Sequence, residues 1–140
     1  MRTPGYYILW GILSFCAISC SKSSSPLPVQ GKIIIADVES KKGNVRFVPD
    51  KSKGNNLDME PVGQIADDGT YSVTTGGKMG APAGHYKVLV FISVPTNPND
   101  PYSTQKSLIH AKYKSADSTD LSIEVVAKPA ANAYDLKLSR

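Results

Sequence analysis

"GHYKVLVFISV", Gly84 to Val94, decides the fold. Tyr86, Val88, Val90 and Ile92 alternate with His85, Lys87, Leu89 and Phe91. A period of two sends successive side chains to opposite faces of a strand. The second half of the stretch is apolar on both faces, which predicts a strand in the middle of its sheet. Outward from it, every ordered-looking segment after residue 28 reads the same way, and none has a helical period.

Toward the C-terminus, "TDLSIEVVA" (Thr119 to Ala127) puts Leu121, Ile123 and Val125 on one side, with Ser122 and Glu124 on the other. "NAYDLKLS" (Asn132 to Ser139) sets Tyr134, Leu136 and Leu138 against Asp135 and Lys137. Toward the N-terminus, "TYSVTT" (Thr70 to Thr75) turns Tyr71 and Val73 inward. "VGQIA" (Val62 to Ala66) reaches it through Asp68-Gly69, a hairpin signal because glycine tolerates the positive φ of tight turns. "GNVRFVP" (Gly43 to Pro49) turns Val45 and Phe47 one way, and "PVQGKIIIA" (Pro28 to Ala36) opens the set. The expectation is an all-β domain of seven strands, an Ig-like or transthyretin-like β-sandwich with one polar side per sheet. Two loops are long. "GGKMGAPA" (Gly76 to Ala83) carries three glycines, and "PTNPNDPYSTQKS" (Pro95 to Ser107), with three prolines, is expected to lack regular structure. Loops on a rigid scaffold are where binding concentrates; a tolerated insertion fits the same residues.

The N-terminus belongs to another class. Met1 and Arg2 precede "YYILWGILSFCAI", 13 almost wholly apolar residues from Tyr6 to Ile18. A membrane-spanning helix needs about 20. A short run with a basic start and small residues at its end reads as a cleaved secretory signal. Ala17, Ile18, Ser19 and Cys20 resemble the lipobox of bacterial lipoproteins, with Ala17 where that family usually has leucine. The resemblance implies a cut before Cys20 and a covalent lipid on it; ordinary secretion with a nearby cut is the alternative. Two or more acyl chains hold a protein to a membrane where one does so only marginally. "SKSSSPLP" (Ser21 to Pro28) then reads as a flexible tether. The organisation expected is a signal over residues 1–19, a tether over 20–28 and a domain over 29–139. Ser21, rather than aspartate, after Cys20 implies the outer membrane of the cell envelope over the inner one.

Cutting before Cys20 leaves 121 of the 140 residues, one ordinary domain. Cys16 leaves with the signal, so the folded part has no disulfide and no cysteine nucleophile or zinc ligand. The formal net charge of +4 falls to +3 without Arg2, and the lysines are interleaved with acids. A nucleic-acid binder concentrates its charge on a face with stacking aromatics. The pattern here reads as a solvated surface with, at most, mild attraction to anionic envelope polymers.

Taken together, "VQGKI", "GNVRFVPD", "GQIADDGTYSVTT", "GAPAGHYKVLV", "HAKY", "LSIEVV" and "YDLKL" occur in the order of motifs in a family of small bacterial lipoproteins. The chain resembles members that carry a carboxypeptidase regulatory-like domain, similar in fold to transthyretin, over about residues 28 to 138. It departs from them at "DVESKKGN", where the family has a G-K-P-L-x-G-A turn, and at His110, where proline is usual. The resemblance implies a closing pair of strands, no catalytic residue and no metal site.

The residues agree that chemistry is sparse. His85 and His110 have no clustered acidic partner and read as surface residues rather than a base or ligand. No G-x-S-x-G nucleophile motif is present. Asp67 and Asp68 could touch calcium, but a calcium site needs six or more oxygens and this pair reads as turn residues. Tyr102, Lys112 and Tyr113 are a candidate aromatic and cationic contact on which a sugar could stack, though Tyr113 equally fits the core. The expectation is a non-enzymatic, lipid-anchored envelope module with no cofactor beyond the lipid, docking a protein or serving a structural role. The alternative is a carbohydrate-binding module for polysaccharide.

Overall fold

The computed structural model describes residues 25–39, 41–100 and 102–140. The signal over 1–19, Cys20 and the tether as far as Ser24 lie outside the described residues. The chain is all-β. Nine strands are described: β1 (Gln30–Ile35), β2 (Gly43–Pro49), β3 (Val62–Ile65), β4 (Thr70–Thr75), β5 (Lys78–Met79), β6 (Gly84–Pro95), β7 (Gln105–Ser107), β8 (Ser122–Val125) and β9 (Leu136–Leu138). Single 3-10 turns stand at Lys51–Lys53 and Ala111–Lys114. The strands form one curled mixed sheet in the order β7-β6-β2-β3-β4-β1-β9, with β5 added to β4 and β8 to β6. Every pairing is antiparallel except β1 with β9.

β6 is central, as its two-sided apolar half predicts. β2 pairs with it from Tyr86 to Ile92. Its other edge is covered in two pieces, by β8 along Gly84 to Lys87 and by β7 along Ser93 to Pro95. Between them the Val88 N–H donates to the Leu121 carbonyl, and the Leu108 N–H to that of Ile92. The inward residues of all the longer strands meet in a single core. Phe47 stands in it, edge-on to Tyr71 with ring centres 6.3 Å apart and tilted against Tyr86 at 5.9 Å. Aromatic pairs of this kind add to the burial of their area. The phenols of both tyrosines are satisfied: Tyr71 donates to the Tyr134 carbonyl and Tyr86 to that of Pro82.

The seven sequence-read strands all appear: β2 and β4 with the bounds read, β6 one residue longer and the rest shorter, and the inward residues assigned to them are buried except Leu121, which is partly so. Two expectations need correction. β5 lies within the Gly76 to Ala83 loop. The Pro95 to Ser107 stretch is an antiparallel hairpin: β6 runs to Pro95, β7 returns at Gln105, and Thr96 bonds Thr104 through backbone and side chain. Its three prolines do not prevent this, because the ladder uses only its two ends. Of the two closing strands, β8 joins β6 and β9 joins β1. Ahead of β1, Leu27 exchanges backbone hydrogen bonds with Ala81 and packs on the core. Gly80 makes room for this: its φ is +98°, and a Cβ there would stand 2.1 Å from the Leu27 carbonyl oxygen.

Candidate functional site

The residues that point away from the core carry the open face of the sheet, and the register aligns them. In one row, Asn44 stands opposite Phe91 on one side and Gln64 on the other; Gln64 stands opposite Ser72, and Ser72 opposite Gln30. In the next row, Arg46 stands between Leu89 and Val62, then come Thr74 and Met79. Neighbouring strands lie about 4.8 Å apart, so each five-strand row spans about 19 Å.

These rows line an open groove of about 790 Å³, formed by Asn44, Arg46, Val62, Gln64, Ser72, Thr74 and Phe91 over a floor of Val45 and Gly63. Gly63 faces inward. A Cβ there would meet the Ser72 carbonyl oxygen at 2.3 Å and Val45 at 3.2 Å. The missing side chain leaves room for the Ser72 carbonyl of β4 beside β3. Arg46 is the single titratable side chain in the lining, and its Nε lies 3.5 Å from Glu60 Oε2. Asn44, Gln64 and Ser72 make no side-chain hydrogen bond to another described residue, so both amides and the hydroxyl face outward with their bonding groups free. Phe91 is half-buried and closes one end; Val62, 47% exposed, stands mid-row, and Met79, 63% exposed, ends its row on the far side.

No family model, curated sequence or solved structure matches this chain.

Of the three residues read as a ligand contact, the structure keeps Lys112 against Tyr113 and puts Tyr102 on the β6–β7 hairpin. Tyr102 is 94% exposed at the tip of the β6–β7 hairpin. Lys112 Nζ lies 2.7 Å from Asp120 Oδ2 and 4.9 Å from the centre of the Tyr113 ring. The Asp120 hydrogen bond raises the Lys112 ammonium above its ordinary value and lowers the carboxyl. Tyr113 is a core residue, 2% exposed, its hydroxyl 3.1 Å from Ser139 Oγ and accepting from the Ser139 N–H. Burial opposes its ionisation; the Ser139 hydroxyl and N–H and the Lys112 ammonium outweigh that and hold the phenol below its ordinary value. A buried ring cannot offer a face to a sugar, so of the three only Tyr102 and Lys112 reach the surface.

The histidines and acids have local duties. His85 Nε2 sits 3.6 Å from Glu124 Oε1 across the β6–β8 pair. His110 Nδ1 accepts the Lys112 N–H and caps the second 3-10 turn. Asp68 Oδ1 accepts from both the N–H and the hydroxyl of Thr70, which lowers its carboxyl and ties the turn that Gly69, at φ +87°, completes. Among the described residues, no three His, Cys, Asp or Glu side chains converge as a metal set. The groove was missed because Asn44, Gln64 and Ser72 lie on three strands, and each alone is an ordinary solvated residue. Their polar phase was readable; their register was not.

Proposed function

We propose that the chain is a lipid-anchored, non-enzymatic module of the cell envelope that holds a protein or polysaccharide component through the open face of its sheet. One observation carries the binding part: the groove presents free amides and a hydroxyl but a single titratable side chain, already paired. General acid–base chemistry needs a positioned acid or base, and Ser72 has neither histidine nor carboxylate beside it in the lining. The lipobox-like Ala17 to Cys20, with a Ser/Pro-rich stretch leading to Leu27, supports the anchor and the outer-membrane placement. Strands curled about one core, with β1 bonded to β4 in its first half and β9 in its second, support the Ig-like or transthyretin-like sandwich.

Two measurements test it. Labelled fatty acid enters the wild type and not Cys20→Ala; equal labelling of both removes the anchor. In-cell cross-linking of the tagged full chain, read by mass spectrometry, enriches an envelope protein or a polymer. A protein cross-linked to nothing in the envelope overturns the module.

A further inference from the structure

We infer that the groove binds a neutral glycan chain laid across the strands, along the row Phe91, Asn44, Gln64 and Ser72. This rests on the reading of the open face as a binding face and names its ligand class. Three features point there. The row is uncharged, and the neighbouring Arg46 is engaged by Glu60, 3.5 Å away. A phosphate or polyanion would ask for unpaired cations at the centre of the site. The free groups are also mixed. Each amide brings two donors and an acceptor, and the Ser72 hydroxyl both donates and accepts. Sugar hydroxyls need that mixture, since each of them also does both. Phe91, half-buried at the end of the row, offers a ring edge and face for the apolar side of a pyranose.

An extended peptide fits less well. It adds by backbone pairing to a free sheet edge, and β6 is bonded on both sides by β2, β7 and β8. Across the strands, peptide side chains on one face repeat about every 6.8 Å against a row step of about 4.8 Å. Gly63 and Val45 lie between the two rows as the floor of the groove.

The test uses the full-length protein, isotope-labelled, in a detergent without a sugar headgroup. Asn44 and Gln64 report directly, because side-chain amides give their own nitrogen–proton signals. Maltohexaose, cellohexaose and chitohexaose are titrated, with a hyaluronan hexasaccharide as the acidic contrast. The expected result is saturable movement of the Asn44 and Gln64 side-chain signals with a neutral hexasaccharide. Asn44→Ala with Gln64→Ala, both exposed and unbonded, leaves the backbone spectrum in place and weakens binding about tenfold. Movement with none of the neutral sugars overturns the inference, as does binding of the acidic sugar alone or binding that survives the double substitution. Failure here, with fatty-acid labelling and a cross-linked protein still found, leaves the tethered module standing and removes only its glycan.

Discussion

Gly63 faces the core, yet the space beside it is already taken by backbone. A Cβ 2.3 Å from the Ser72 carbonyl oxygen can be relieved only by moving β3 away from β4. Overpacking of this kind costs about 1–3 kcal/mol. Gly63→Ala is expected to lower stability by that amount in denaturant unfolding and to shift the Gln64 and Ser72 signals as the floor of the groove rises. Unchanged stability would mean that β3 and β4 accommodate the methyl group without moving apart. Tyr71 lies two residues from Val73, the partner of Gly63 across the β3–β4 pair, and tests the same core. Burial, then the nearby Asp135, then Tyr134, push its phenol far above the ordinary 10.0. The fold therefore holds the neutral form. The unfolded chain releases the proton near pH 10 while the folded chain does not, so this stabilisation is complete below pH 10 and lost as pH rises beyond it. The melting temperature should fall above pH 10, and less steeply in Tyr71→Phe. Tyr86, also raised by burial, keeps some slope. At neutral pH the same substitution strands the Tyr134 carbonyl and should cost about 1–3 kcal/mol.

At the scale of elements, the β6–β7 hairpin is the part least coupled to the rest. Its tip is held by its own bonds: the Thr96 N–H and hydroxyl to the Thr104 carbonyl, Ser103 Oγ to the Asn97 carbonyl, and the Tyr102 N–H to Asp100 Oδ1. Thr96 and Thr104 are exposed, and so is Tyr102. Replacing residues 97–103 with an Asn-Gly turn is expected to change stability by less than about 0.5 kcal/mol. A thermal melt shifted by many degrees would show that the tip packs where its exposure says it does not. The same element shows how far the sequence carries. β6 was legible because alternation and two-sided burial sum over 12 residues. β5 and β7, of two and three residues, were not, because a strand that short is defined by its partner and not by its own pattern. Tyr113 fits surface and core equally by its sequence. The 3-10 turn that His110 caps rotates it inward while its neighbours stay out. Of the candidate site, the polar phase of each strand was legible. The row was not, since pairing Asn44 with Gln64 and Gln64 with Ser72 is a fact about register.

For the whole molecule, the decisive contact is the one that joins the chain's two ends. β1 bonds β4 through Gln30 to Lys32 and is then handed to β9, whose Leu136 to Leu138 run parallel to Ile33 to Ile35. Partners about a hundred residues apart must be brought together after the hairpins form, so this pairing closes the core late and with a large loss of chain entropy. What repays that loss is concentrated in a few residues. Tyr134, Leu136 and Leu138 are all buried, and each contributes about 1.5–3 kcal/mol by burial. The same tail supplies the Tyr134 carbonyl to the Tyr71 hydroxyl, the Ser139 carbonyl to the His110 N–H, and Ser139 itself to Tyr113. The burial alone, about 5–9 kcal/mol, is of the size of a domain's entire net stability. Removing residues 134–140 is therefore expected to abolish cooperative unfolding, whereas removing Arg140 alone, exposed beyond β9, is expected to leave the melt unchanged. A cooperative transition retained without β9 would mean that β1 is held by β4 alone, with the parallel pair an addition to a core that is already closed.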